Sequence, residues 1–224
     1  MNYIIFTFII FLLFHGSING FDYFTIAQIY PRGLCHGNRL CTSSTIALST
    51  KFTVHGLWPS TNAFPQPFNC RVDGLNLSVI QNIGPRLQQV WPNYYSTNYT
   101  KFWEHEWEKH GTCSNMQQFD FFRLTLDIYA RNDLQAILIN AGISRRKPYH
   151  INDIISAIRN SAIGVEPELH CRKSRKSRQS GKSGSGSGRR GLIFEIRICL
   201  NTDPIPQYIN CASQGTCTSP VMFM

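Results

Sequence analysis

Acidic residues are scarce in this chain of 224 residues: 13 Asp and Glu stand against 22 Lys and Arg. Long apolar runs are missing as well. The longest, Ile4 to Phe14, spans eleven residues, well short of the roughly 20 that a membrane helix needs. No Cys-x-x-Cys pair occurs, which weighs against a structural zinc site. His105 and His110 are five positions apart, so the His-Glu-x-x-His pair of a zinc protease is absent too. No internal repeat is visible. The chain is also unlike a disordered one, with 42% hydrophobic and 12% aromatic residues and only 16% charged.

The positive charge is a local matter. Eight basic residues and no acid lie between Arg172 and Arg190. Without them the remaining chain has 14 basic against 13 acidic residues. The tract Arg172–Gly191 (RKSRKSRQSGKSGSGSGRRG) is rich in Gly and Ser, and its like charges oppose packing. It reads as a flexible, solvated surface loop, with attraction for anionic partners as the second reading. Its Arg189-Arg190 pair is open to nicking.

Residues 1–20 carry no charge and combine an apolar stretch with Gly16, Ser17 and Gly20. They read as a secretory signal peptide cleaved after Gly20; a retained anchor is the alternative. Residues 21–224 then form one mature domain, extracellular and free of the membrane. Eight cysteines follow the cleavage point, an even set that suits four disulfides at about 2–4 kcal/mol each. Spacing alone leaves roughly 105 pairings open. Asn76-Leu77-Ser78 and Asn98-Tyr99-Thr100 are glycosylation sequons.

Strand patterns cover Phe21–Pro31, Lys51–Trp58 and Leu192–Leu200, and Ser60–Asp73 reads as a loop. Helical spacing covers Leu77–Val90, Lys101–Lys109, Phe119–Arg131, Asp133–Asn140 and Asn152–Asn160. Asp133 and Asn152 are the expected N-caps, and Gly142 follows a helix end. Strands, then helices, then a strand point to an α+β fold.

Two clusters carry the chemistry: Phe52-Thr-Val-His-Gly-Leu-Trp-Pro59 and Phe102-Trp-Glu-His-Glu-Trp-Glu-Lys-His-Gly-Thr-Cys113. On a helix Glu106 and His110 share a face, with Lys109 on its flank and His105 beyond it. That set gathers imidazoles to move protons near neutral pH, and a cation to stabilise developing negative charge. Taken singly, each cluster has a plainer reading. The helix suits a half-buried aromatic helix with paired surface charges, and His55 suits a hydrogen-bonded core residue. Their joint presence favours an acid and base pair acting across one phosphodiester. Trp58 offers a ring for stacking a base, worth about 1–3 kcal/mol.

His55-Gly56-Leu57-Trp58-Pro59 and His105 through Cys113 resemble the two active-site signatures of the RNase T2 family. The Phe21-Asp22-Tyr23-Phe24 opening, the cysteine layout and Ile198-Cys199-Leu200 resemble the plant S-RNases. The resemblance implies a curved antiparallel sheet packed against several helices. It implies the disulfides Cys35–Cys41, Cys70–Cys113, Cys171–Cys217 and Cys199–Cys211, the last two nested. It implies His110 as general base, His55 as general acid, Glu106 and Lys109 as stabilisers of the phosphate, and His105 as a phosphate-binding imidazole. Single-stranded RNA is the implied substrate, cleaved through a 2′,3′-cyclic phosphate, with no metal or other cofactor; DNA, lacking the 2′-hydroxyl, is resistant.

An S-RNase would be a monomer acting in gametophytic self-incompatibility, with pollen S-locus F-box proteins as partners and roughly residues 68–98 as its variable region. An S-like ribonuclease of defence or phosphate remobilisation is the alternative. A non-catalytic binding or storage glycoprotein on the same scaffold is the reading from another class. Thr25 stands where the family commonly has a base-contacting Gln, and Tyr30 replaces a Trp, so no base preference is implied.

Overall fold

The computed structural model describes residues 20–36, 41, 51–173 and 191–223. Positions 1–19 of the expected leader and 174–190 of the basic tract lie outside the described residues.

Strand β1, Tyr23–Ile29, is β-branched and aromatic, and all but its first residue are buried. It ends because Pro31 sits at the first turn of a short helix α1, Pro31–Cys35, where its fixed φ suits a helix start. The strand expected over Phe21–Pro31 is therefore shorter by two residues at each end. Strand β2 is Thr53–Ser60. The single helix expected over Leu77–Val90 is split. A 3₁₀ stretch covers Leu77–Ile83, and α2 covers Gly84–Val90. Pro85 lacks an N–H and cannot continue the preceding turn, so the helix restarts there.

Helix α3 spans Thr100–Lys109, α4 Gln118–Ala130 and α5 Leu134–Asn140. Asp133 caps α5 as expected, its carboxylate accepting the Ala136 N–H at 3.0 Å. Gly142, at φ +78°, closes the helix end in the left-handed conformation. Strand β3 is Pro148–Tyr149, and α6 is Ile151–Arg159. The cap of α6 is His150 rather than Asn152, because the Asp153 carboxylate turns back to accept the His150 N–H at 2.9 Å. Strands β4 (Glu168–Lys173), β5 (Gly191–Leu200), β6 (Tyr208–Ile209) and β7 (Val221–Met222) complete the chain.

β5 organises the sheet. One of its edges pairs with β4 and then β6, the other with β7 and then β1, and β2 lies outside β1. The β5–β7 pair is parallel, so the sheet is mixed rather than wholly antiparallel. The chain reaches β7 after Cys217, which is bonded to Cys171 in β4, and enters alongside β5 in the same direction. All four expected disulfides are present. Arg172 and Lys173, assigned above to the loop, are the last residues of β4, and Gly191 is the first of β5. The Arg172 guanidinium donates to the Leu34 carbonyl.

The helices pack through Leu87, Trp103, Trp107, Phe121, Phe122 and Leu126 against Phe24, Ile26, Leu57 and Ile198 of the sheet. Tyr30 stacks on Phe223 at 4.1 Å, and Phe52 lies beside both rings. Asp133→Ala is expected to lower stability by about 1 kcal/mol through loss of the cap, read as a shift in the urea midpoint with the denaturant slope unchanged. Asp133 also pairs with Lys51 at 2.6 Å, an exposed contact of small effect.

Candidate active site

In a regular strand, residues three apart face opposite sides of the sheet. His55 and Trp58 nevertheless meet, their rings 5.1 Å apart and nearly perpendicular. The register explains it. Ala27 of β1 pairs with Gly56, and the next residue, Gln28, pairs with Val54, so His55 is an extra residue in β2. Such a bulge re-aims the side chain it carries. The His55 carbonyl accepts the indole N–H of buried Trp91 at 2.8 Å. All four tryptophans in the chain place this N–H on a partner: Trp58 on Glu106, Trp103 on the Trp91 carbonyl and Trp107 on the Asp73 carbonyl are the others.

Helix α3 brings the second cluster over β2. Its Glu106 is buried, and Oε2 accepts the Trp58 indole N–H at 3.0 Å. His110 caps the helix end, its N–H donating to the Glu106 carbonyl at 3.1 Å. Gly111 then turns the chain where a Cβ would stand 2.3 Å from the Trp107 ring. The following 3₁₀ turn, Gly111–Cys113, is tied to the loop after β2 by Cys70–Cys113. The His110 ring stacks on Trp58 at 5.1 Å. The expected acid–base set is thus assembled around one indole, with Glu106 on its N–H edge, His110 stacked on its face and the His55 ring nearly perpendicular to it. His105 and Lys109 are exposed on the same helix, so the patch read from the sequence is divided, with Glu106 beneath it. Trp58, expected as a base-stacking ring, has its surface against His110 and the Arg197 guanidinium, which lies 4.7 Å from the ring centre. A cleft of about 540 Å³ opens beside Trp58 and His110, with Tyr23, Phe64, His170 and Arg197 also in its wall.

The two imidazoles are pushed in opposite directions. Burial opposes charge on His55, but the hydrogen bond with Glu195 and the fields of Glu106 and Glu195 outweigh it and hold its pKa above the ordinary value. Burial and the charges of Lys109 and the neighbouring histidines push His110 down to about 3. Burial raises the Glu106 carboxyl against the pull of His55 and the Trp58 N–H. Burial and Lys109 lower His105.

Glu195 and Arg197 were not singled out from the sequence. Glu195 is 1% exposed on the central strand, and its carboxylate meets Nδ1 of His55 through Oε2 and Nε of Arg197 through Oε1. The signal for it was a lone acid inside the apolar run Leu192–Leu200. The sequon asparagines are both exposed; Asn76 caps the 3₁₀ stretch through Ser78 N–H, and Asn98 accepts the Thr100 hydroxyl. Among the described residues no three His, Cys, Asp or Glu side chains gather as metal ligands, and no helix is long and apolar enough to cross a membrane.

The profile described as the Ribonuclease T2 family matches residues 21–211. The chain belongs to the ribonuclease T2 family. It is an RNase T2-type endoribonuclease. It is 31% identical to Ribonuclease S-4 of Pyrus pyrifolia over 91% of this chain and 86% of that protein. Against Ribonuclease 3 of Arabidopsis thaliana it is 32% identical over 91% of this chain and 89% of the relative. Among solved structures, RNase NT in complex with 5′-AMP superposes with a TM-score of 0.76 at 27% identity, covering 91% of this chain and 98% of that one. The α+β architecture with a mixed sheet is that of the RNase T2 structures.

Proposed function

We propose that His110 is the general base and His55 the general acid of this endoribonuclease, acting on single-stranded RNA. One observation carries the assignment: two histidines from separate elements flank Trp58 with their pKa values displaced apart. Such a displacement supports the reading of His55 as the acid and His110 as the base. A neutral His110 takes the proton of the ribose 2′-hydroxyl as that oxygen attacks phosphorus. A protonated His55 gives its proton to the departing 5′-oxygen, leaving a 2′,3′-cyclic phosphate. Hydrolysis of the cyclic product reverses the two roles. Lys109 and His105, on the exposed side of α3, meet the phosphate oxygens, and Glu106 stabilises the pentacovalent phosphorus while holding Trp58. The complex of RNase NT with 5′-AMP supports a nucleotide as the bound unit. The proton transfers and the charge compensation come from side chains, so a chelator is expected to leave the rate unchanged.

We assign the biological setting on further grounds. Residues 1–20 direct secretion, and residues 21–224 form the mature single-domain monomer, glycosylated at Asn76 and Asn98. Similarity to Ribonuclease S-4 supports a pistil S-RNase of self-incompatibility, with pollen F-box proteins as partners. The comparable similarity to Ribonuclease 3 supports the S-like reading, in defence or phosphate supply. Expression confined to the style favours the first, and induction in starved or wounded leaves the second.

The deciding experiment is cleavage of a short RNA with the product ends identified. Cyclic phosphate ends are expected from RNA, and none from the same oligonucleotide with 2′-deoxyribose at every position. Binding of RNA without cleavage overturns the proposal and leaves a binding glycoprotein.

A further inference from the structure

A buried carboxylate is costly unless both oxygens are paired. Glu195 stands on the middle strand of the sheet, between Phe194 and Ile196, and its side chain is 1% exposed. A branched aliphatic residue would fill such a position at less cost. Both carboxylate oxygens are instead committed, Oε2 to Nδ1 of His55 and Oε1 to Nε of Arg197 at 2.7 Å. Arg197 is itself held, with Nη1 3.7 Å from the Glu168 carboxylate and its guanidinium over Trp58. Glu168 in turn accepts from Ser213 at 2.8 Å and contacts His170 at 3.1 Å.

β1 lies between β2 and β5, so His55 and Glu195 reach each other across it. Ala27 of β1 stands opposite Gly56 on one side and Arg197 on the other. Ala27 and Gly56 thus leave space on this face for His55, Glu195 and Arg197. The arrangement runs in one line from β4 through Arg197 and Glu195 to the ring of His55.

We infer that Glu195 is a positioning residue for the proton-donating histidine, with Arg197 fixing the carboxylate. The inference rests on the reading of His55 as general acid. An imidazole whose Nδ1–H is held by a carboxylate has its tautomer and ring orientation set. Nε2–H is then the donor presented to the reaction. In the cleavage step the 2′-oxygen forms its bond to phosphorus as its proton passes to His110. The P–O5′ bond breaks, and O5′ takes the proton from Nε2 of His55. The positive charge on the ring before that transfer is balanced by Glu195 from β5 and Glu106 from α3. Arg197 on β5 and Lys109, His105 and His110 on the side of α3 oppose it.

The test compares two substrates. One is a diribonucleotide, whose leaving 5′-alkoxide needs a proton. The other is uridine 3′-(4-nitrophenyl phosphate), whose leaving phenolate needs none. Glu195→Gln keeps the shape and a hydrogen-bond acceptor but removes the charge. It is expected to lower kcat/KM on the dinucleotide by about 10–100-fold and to move the alkaline limb of the pH profile down by about one unit. On the nitrophenyl ester the loss is expected to be several times smaller.

His55→Ala run on the same pair separates the two levels of the argument. If its loss is equal on both substrates, His55 is not the acid, and the inference falls with that reading. If His55→Ala is spared on the ester while Glu195→Gln is not, the inference alone is overturned. An unmoved alkaline limb overturns it too. Should Glu195→Gln fold poorly, the wild-type protein still decides. A slowly exchanging, strongly deshielded Nδ1 proton, assigned to His55 by NMR, is expected, and a freely exchanging one overturns the inference.

Discussion

His110→Ala is expected to slow RNA cleavage by about 10²–10⁴-fold, the usual contribution of a positioned general base. The fold should survive the change. Among the described residues His110 Nδ1 has no hydrogen-bond partner, so the lost stacking on Trp58 is the main structural cost of removing the ring. Circular dichroism and the thermal midpoint are the check on folding, and a steady-state assay on a dinucleotide reads the rate. A loss under about tenfold would remove His110 from the proton-transfer step.

The pH profile follows from the same displacement. A base works when unprotonated, so with its pKa near 3 His110 is ready over most of the acid range. An acid works when protonated, so with its pKa raised His55 fails only on the alkaline side. The kcat/KM profile, which reports the free enzyme, is therefore expected to be broad, with its acid limb well below the ordinary histidine range. Two limbs close together near neutrality would contradict the assignment.

Gly56→Ala is expected to harm the enzyme through crowding. A Cβ at Gly56 would stand 2.1 Å from Oε2 of Glu106 and 2.4 Å from Nε1 of Trp58, the two atoms that hydrogen-bond each other. Neither can retreat freely, since Glu106 is buried and Trp58 packs against both His110 and Arg197. Overpacking of this kind costs about 1–3 kcal/mol of stability. Misplacing the indole moves His110 with it, and a displacement near 1 Å lowers the rate by about 10²-fold. Gly74→Ala is the control, because its Cβ would meet nothing within 4 Å. Its stability is expected to stay within about 0.5 kcal/mol of the wild type. Equal behaviour of the two variants would show that the contact under Trp58 does not set the site.

The histidines were legible because their chemistry is local to two short motifs. Asp133 and Gly142 were legible because caps are local too. The strand at Leu192–Leu200 announced itself by β-branched, apolar residues. What the sequence did not disclose depends on partners far along the chain. β4 is a charged segment, Glu168–Lys173, that becomes a strand by pairing with β5 and through its bond to Cys217. β3, β6 and β7 are two residues each, too short to carry a pattern. The bulge at His55 exists only in the register between two strands. Glu106 reads as a surface acid on a helix wheel, and only the packing of α3 over Trp58 buries it. The inside position of Glu195 is visible in the run, but its partner is 140 positions away.

Cys171–Cys217 has a topological meaning beyond holding β4 in place. The two cysteines are 46 positions apart, and the stretch between them contains the whole of the basic tract. Together with the disulfide, the backbone from 171 to 217 is a closed ring. One cut anywhere between Lys173 and Gly191 would open the ring without releasing a fragment, since the downstream piece stays bonded through Cys217. That piece carries β5, which β1 and β4 grip along its length. The molecule would become two polypeptides while keeping one covalent skeleton and the same histidine pair.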